Sequence, residues 1–242
     1  MTINNGGGGA IFAPPGIPVS APLGHRASGP TSAYAAAVKA DSPVAYYRLG
    51  HASGSEIDQM GGVPGAYAGS LAVGASLLPH GDGASTVFSG GSLSVPDSPP
   101  TRIGPGPVSY DCWLNMASFS NFMVLVDNVS RPYAGRFDGM QSMFLSFGGN
   151  NYASVSLPQT LVLGTSYYLA VTWDAAGNVC TYINGVQSTS THAPGAVASS
   201  TGFTVAGPAS GTDPAFAGSI QEFALYNKVL SPARVSAHYA AG

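Results

Sequence analysis

The chain has 242 residues, 45% of them hydrophobic and 10% aromatic, enough to bury one large all-β core or two small ones. Only 8% are charged, with a formal net charge of −3, against about 25% charged in an average soluble domain. The Lys and Arg residues are scattered singly, which argues against nucleic-acid binding, because phosphate neutralisation needs clustered cations.

No stretch approaches the roughly 18 apolar residues of a membrane-spanning helix, so no membrane insertion is expected. The opening MTINNGGGGAIFAPPG has neither a basic n-region nor a continuous apolar h-region and does not read as a secretory signal. The chain is expected to fold in the cytosol where it is made. A surface so poor in charge is covered by Ser, Thr, Asn, Gly and Ala. That suits a subunit with neighbours, and it equally fits a compositional bias toward Ala and Gly.

Residues 1–32 carry Gly6 to Gly9, then Pro14, Pro15, Pro18, Pro22 and Pro30, with almost no periodic apolar pattern. They read as an extended arm of flexible glycine and stiff polyproline-like sections. Such an arm makes too few contacts of its own to offset its ordering entropy, so a neighbouring subunit is expected to hold it; the alternative is that it lies on its own domain. Residues 33–242 form the folded domain.

Ser32 caps a short helix over Ala33 to Ala40, and Pro43 ends it and forces an extended exit into a strand at Val44–Leu49. From there to Asn227 short β-branched and aromatic runs alternate with Gly, Asn, Asp, Ser and Pro clusters. They predict strands at Ser85–Phe88, Ser92–Val95, Val108–Met116, Asn121–Val126, Ala134–Phe137, Met143–Phe147, Tyr152–Ser156, Tyr167–Trp173, Val179–Ile183, Val186–Thr191, Phe203–Ala206 and Phe216–Tyr226. Within YYLAVTWDAAGNVCTYINGVQSTS the period of two, the DAAGN turn and the hairpin signal Asn184-Gly185 give three consecutive antiparallel strands. Many short strands with close turns mean a sandwich or a barrel.

Phe216, Ile220, Phe223 and Leu225 supply the apolar content of the last strand, and Ser231-Pro232 starts a helix to about Tyr239 that is expected to plug one end of the sandwich. The first and last segments, each a short helix with a strand, are expected to lie side by side. Cys112 and Cys180 fall in predicted strands; pairing is geometrically possible, but no spacing pattern implies it, and two buried free thiols are expected.

The segments DSPVAYYRLG, GSEIDQMGG, VSYDCWLN, YYLAVTWDAAGNVCTYINGV and FAGSIQEFALYNKVLSPARVSAHY stand in the order and spacing of a known family. From Ala33 to Gly242 the chain resembles the laminin-G-like jelly rolls of the concanavalin A-like lectin/glucanase superfamily. The resemblance implies an all-β fold: a two-sheet antiparallel jelly-roll β-sandwich with a concave face, short flanking helices and, here, the extended N-terminal arm. Members include carbohydrate-binding modules, adhesion domains, glycoside hydrolases and jelly-roll modules in bacteriophage tails, so the family constrains fold more than function.

Retaining glucanases of that superfamily need paired carboxylates roughly 5 Å apart. Their Glu-x-Asp-x-x-Glu strand is absent, Glu56 and Glu222 are far apart in sequence, Asp111 stands alone, and Asp174 sits in a turn where it bends the backbone. No enzyme is expected. His25, His51, His80, His192 and His238 lack metal spacing and read as surface or loop histidines. In resembling domains a loop aspartate and an acidic residue of the last strand can share a structural calcium ion with backbone carbonyls; Asp58 matches the first position, while Gln221 stands where the last-strand aspartate belongs and Glu222 matches its neighbour, so Asp58 and Glu222 are the candidate ligands. No other cofactor is implied, and the bland alternative is that Asp58 hydrogen-bonds its own loop.

Sugar binding would use exposed aromatics with amide neighbours. Tyr133, Phe137, Asn150, Asn151 and Tyr152, in two loops, are the candidates for a glycan or for subunit contact, while Trp113 and Trp173 read as core. The missing export signal, the arm, the low charge and the missing catalytic pair together suggest a non-enzymatic bacteriophage virion component, a minor tail or capsid-decorating protein. It would join other virion subunits through its arm, as an oligomer or part of a larger assembly, and touch host-surface glycans. The alternatives are a cellular carbohydrate-binding or adhesion module and a glycoside hydrolase with an unfamiliar site.

Overall fold

The computed structural model describes residues 32–103, 106–128, 134–146, 152–188, 191–192, 202–209 and 211–242. Helix α1 (Ala33–Ala40) leads into β1 (Ala45–Tyr47), β2 (Ser55–Glu56), β3 (Gly65–Ala68), β4 (Leu71–Gly74), β5 (Ser85–Ser89) and β6 (Ser92–Val95). After β7 (Val108–Met116) come β8 (Met123–Asp127), β9 (Ala134–Gly139), β10 (Ser142–Ser146), β11 (Tyr152–Ser156), β12 (Ser166–Trp173) and β13 (Asn178–Ile183). Short β14 (Val186–Gln187), β15 (Thr191–His192) and β16 (Phe203–Val205) precede the long β17 (Ala217–Tyr226) and helix α2 (Pro232–Ala241).

The strands form two antiparallel sheets. The first runs β14-β13-β12-β7-β17-β5-β4, with β1 also on β17 and β15 on β13; the second runs β11-β10-β9-β8-β16-β6-β3-β2. The period of two decides which residues face the partner sheet. Val108, Tyr110, Cys112, Leu114 and Met116 of β7, with Tyr167, Leu169, Val171 and Trp173 of β12, join the core between the sheets. Their alternate neighbours Trp113, Tyr168 and Ala170 form a second cluster on the outer face of the first sheet, with Tyr34 and Val38 of α1 and Val235 of α2. The C-terminal helix therefore lies on that outer face beside α1, rather than plugging an end of the sandwich. The first and last segments do lie side by side, because β1 pairs antiparallel with β17 and Arg234 of α2 bonds Asp41 at the end of α1.

Two local features show the chain obeying these faces. In β17 both Ile220 and Phe223 point into the core, an odd spacing that a regular strand cannot satisfy. A β-bulge between Gln221 and Ala224 absorbs the extra residue and puts Glu222 at φ 61°. At Gly218 a Cβ would sit 2.1 Å from the Asn115 carbonyl oxygen, so only glycine lets β17 approach β7 this closely. The Asn184-Gly185 turn, with φ 52° and 78°, closes the β13-β14 hairpin as its sequence predicts.

The strands at β2, β3 and β4 were not expected, and the run predicted at Val186–Thr191 is divided between β14 and β15. Both cysteines are free, but Cys180 is only partly buried. Cys112 faces the inter-sheet core while Cys180 packs on the helix-covered side of the same sheet. The two thiols are on opposite faces, which rules out the pairing left open by the sequence. No helix among the described residues is long and apolar enough to cross a membrane. The arm, residues 1–31 with their prolines, lies outside the described residues.

Candidate functional site

The two residues matched to a calcium site are used otherwise. Asp58 Oδ1 accepts the backbone N–H groups of Tyr46 at 3.0 Å and Met60 at 2.9 Å, and Oδ2 accepts that of Gly62 at 3.1 Å. This carboxylate is a clamp that ties the loop after β2 to β1. Glu222 Oε1 accepts from Arg48 Nε at 2.9 Å and lies 2.8 Å from Arg48 Nη2, while the Tyr46 hydroxyl donates to Oε2. Arg48 Nη2 also meets Asp82 at 2.7 Å. The cation beside Glu222 is thus a guanidinium. Burial pushes the Glu222 carboxyl up to about 7, against the downward pull of Arg48 and Tyr46. Among the described residues no three His, Cys, Asp or Glu side chains are grouped to hold a metal, and Asp58 and Glu222 each spend their carboxylate oxygens on the separate partners named above.

His238 is not a surface histidine, nor does Asp111 stand alone. The imidazole is fully buried beneath the two helices, with Nδ1 2.8 Å from Asp111 Oδ2 and Nε2 2.8 Å from Asp41 Oδ2. The Tyr168 hydroxyl donates to Asp111 Oδ2 at 2.8 Å, and Arg234 Nε to Asp41 Oδ2 at 2.7 Å. Burial pulls the His238 pKa down, but the two carboxylates outweigh it and the net shift is upward. His238 and Asp111 are closed off from solvent while Asp41 and Arg234 reach it, and the network fastens α2 to α1 and to β7. His51 is exposed and lies 2.9 Å from the buried Glu56, which also accepts from the Tyr67 hydroxyl at 2.8 Å. His80 is on the surface; His25 and the His192 side chain lie outside the described residues. Asp174 bends its turn as expected, accepting the N–H groups of Ala176 and Asn178.

The glycan candidates divide three ways. Tyr133, Asn150 and Asn151 lie outside the described residues. Phe137 is fully buried in the inter-sheet core against Phe216, because β9 alternates and places it inward, so it is not a ligand contact. Tyr152 is 45% exposed at the start of β11, on the outer face of the second sheet.

Tyr152 has company there. It stacks on Phe144 of β10, with ring centroids 5.2 Å apart and planes at 26°, and Phe144 meets Phe122 edge-on at 5.5 Å and 87°. Phe122 is 44% exposed and has φ 60°, a left-handed backbone that a bulky side chain adopts only under constraint. The result is a step of three aromatic rings, with Phe122 and Tyr152 exposed and Phe144 half-buried between them. Phe144 pairs directly with Ser154 on one side and Arg136 on the other. The Ser154 hydroxyl donates to Asp138 Oδ2 at 3.1 Å. Arg136, only 2% exposed, donates from Nε to Asp213 at 2.8 Å and places Nη2 3.1 Å from Asp127. Farther along the same sheet a cleft of ≈ 210 Å³ is lined by Ser94, Asp97, Phe203, Thr204 and Ala209 among others. Phe122 and Phe144 were missed because the sequence reading assigned them only to strands; the signal was the Met143-Phe144-Leu145 alternation, which puts one aromatic ring on the side away from the core.

A model of the concanavalin A-like lectin/glucanases superfamily matches residues 88–236. No characterised protein sequence matches significantly. Among solved structures, domain 4 of AbnA, an extracellular GH43 arabinanase from Geobacillus stearothermophilus seen with arabinotriose, superposes with a TM-score of 0.67 at 21% identity, covering 81% of this chain and 98% of that one. A botulinum neurotoxin type C structure, described as entering cells through two ganglioside molecules, gives a TM-score of 0.59 at 13% identity and covers 83% of this chain and 51% of that one. A Trypanosoma rangeli sialidase gives 0.57 at 12% identity, covering 81% and 32%. The chain thus spans about half the toxin chain and a third of the sialidase. At these identities the likeness is one of fold.

Proposed function

The chain belongs to the concanavalin A-like lectin/glucanase superfamily, and from that premise we propose that it is a non-catalytic module that holds a carbohydrate on the outer face of its second sheet. The observation that carries this reading is the exposed step of Phe122, Phe144 and Tyr152. The C–H face of a sugar ring is apolar and stacks on aromatic rings, while nearby hydroxyls and carboxylates orient its hydroxyls. Ser154 and Asp138 supply those groups beside the rings. The arabinotriose on the arabinanase domain and the gangliosides of the toxin are consistent with a binding role on this fold.

The non-catalytic part of the proposal is supported by the state of the two glutamates. Glu56 and Glu222 are buried and each is engaged by its own partners, so neither is poised to protonate or attack a glycosidic bond. We place the module on a bacteriophage particle, as a minor tail or capsid-decorating protein contacting host-surface glycans. That setting rests on the sparse charge and the Gly/Pro-rich residues 1–32. Peptides of this chain in purified particles would support it, and their absence from such particles would contradict it.

Binding is tested with an array of oligosaccharides probed by the protein and by Tyr152→Ala. The proposal expects weak, saturable binding that the substitution reduces by about two- to twelvefold, since each aromatic contact contributes about 0.5–1.5 kcal/mol. Equal binding by both proteins would refute the site.

A further inference from the structure

We infer that the step of Phe122, Phe144 and Tyr152 has a second occupant, residues 12–18 from the arm of another copy of this chain. The inference goes beyond the carbohydrate reading, and a glycan and the arm compete for one face. The arm holds Pro14, Pro15, Pro18 and Pro22, with Ile11, Phe12 and Ile17 among them, and residues 2–25 contain no Asp, Glu, Lys or Arg. Sequences of this kind favour the polyproline II conformation, which is extended beforehand, loses little entropy on docking and is recognised by aromatic-lined surfaces.

The spacing of the two partners agrees. Pro15, Gly16, Ile17 and Pro18 make a Pro-x-x-Pro motif, and Phe12 precedes Pro15 by the same interval. A polyproline II helix has three residues per turn and rises about 3.1 Å per residue, so these three residues fall on one edge about 9 Å apart. From Tyr152 through Phe144 to Phe122 the consecutive ring centroids are 5.2 and 5.5 Å apart. The exposed outer rings, Tyr152 and Phe122, are therefore separated by at most the sum of those distances, which two prolines one turn apart can bridge. Phe122 is held there by its left-handed backbone, so one ring of the step is positioned before anything binds.

The length of the arm and the point where it joins the domain make another copy its source. Ser32 caps α1, which packs on the outer face of the first sheet, whereas Phe144 and Tyr152 stand on the outer face of the second. Residues 19–31 put 13 residues between the motif and that cap. At about 3.1 Å each they reach roughly 40 Å, comparable with the width of one domain of this size. Copies stacked with the first sheet of one toward the second sheet of the next bring motif and step together directly, while within one chain the tether has to round the edge of the sandwich. The contact is head-to-tail, the kind that builds rings or filaments.

The test is analytical ultracentrifugation of the full chain from about 10 µM to 1 mM, with a synthetic peptide of residues 10–22 as competitor. The expected result is reversible, concentration-dependent association that excess peptide undoes and that changes little from about 50 to 500 mM salt, because the contact is apolar. Tyr152→Ala, and separately the pair Pro15→Ser with Pro18→Ser, should each weaken the association constant by about two- to twelvefold, the worth of one aromatic contact. The proline pair lies outside the folded domain, so its effect is not one of domain stability. A chain that stays monomeric throughout, or an association that neither change weakens, would overturn the inference. Oligosaccharide binding by a chain that stays monomeric would overturn it while sparing the carbohydrate reading; association by a chain that binds no oligosaccharide would do the reverse.

Discussion

Replacing His238 by leucine keeps most of the buried bulk beneath the helices but removes the group that joins Asp111 to Asp41. Asp111 is fully buried and would keep the Tyr168 hydroxyl on Oδ2, with the Tyr226 hydroxyl also against its carboxylate, while Asp41 would keep Arg234. Breaking a buried ion pair by removing one partner costs about 3–5 kcal/mol. With those partners left, the lower end applies, about 3 kcal/mol. For a domain of this size each kcal/mol moves the melting temperature by about 2–4 °C, so His238→Leu should melt roughly 6–12 °C lower. The loss also carries a pH signature. The folded-state pKa of His238 is raised above its ordinary value of 6.5, so the folded protein binds this proton more tightly than the unfolded chain. Its contribution is complete below about 6.5 and is lost as pH rises through the folded pKa. Melting curves of both proteins from about pH 5 to 9 should show a gap that is widest in acid and narrows in base. A gap below about 2 °C, or one that widens with pH, would refute the reasoning.

Other substitutions separate core from surface. Phe137→Ala should destabilise by about 3–5 kcal/mol by emptying a fully buried site, whereas Tyr152→Ala should stay within about 1 kcal/mol in chemical denaturation. The reverse order would contradict the placement of the two rings. A thiol reagent should label Cys180 in the native protein and Cys112 only after unfolding, because burial, and then the nearby Asp111, raise the Cys112 thiol well above its ordinary value; mass measurement should find no disulfide. Calcium or a chelator should move the melting temperature by less than about 1 °C, and Asp58→Ala should cost about 3 kcal/mol through its lost backbone bonds. A clear calcium-dependent rise would show that Asp58 does more than clamp its loop.

How much of this was readable in the chain depends on how local the cause was. The Asn184-Gly185 turn, the caps at Ser32 and Ser231, and the two-residue period of Tyr167 to Trp173 act within a few residues and were read correctly. Strands β3 and β4 were not, because GAYA and LAVG carry few branched or aromatic residues and owe their pairing to β6 and β5. The role of His238 was invisible because its partner Asp111 is 127 positions away. The aromatic step was hidden for a related reason. Trp113 and Tyr168 also point away from the inter-sheet core, yet α1 and α2, the two α-helices among the described residues, pack over them and not over Phe144. Which outward row is covered is settled by packing between distant segments, and Phe137 was misjudged because its loop-like neighbours obscured the strand that turns it inward.

The account turns on whether the open face of the second sheet is where a ligand lands. Titrating the labelled protein with an oligosaccharide that it binds and following its NMR resonances tests this directly. The account predicts saturable shifts centred on Phe122, Phe144, Tyr152 and Ser154. Shifts centred instead on the cleft at Ser94 and Thr204, or on the helix-covered face, would contradict it.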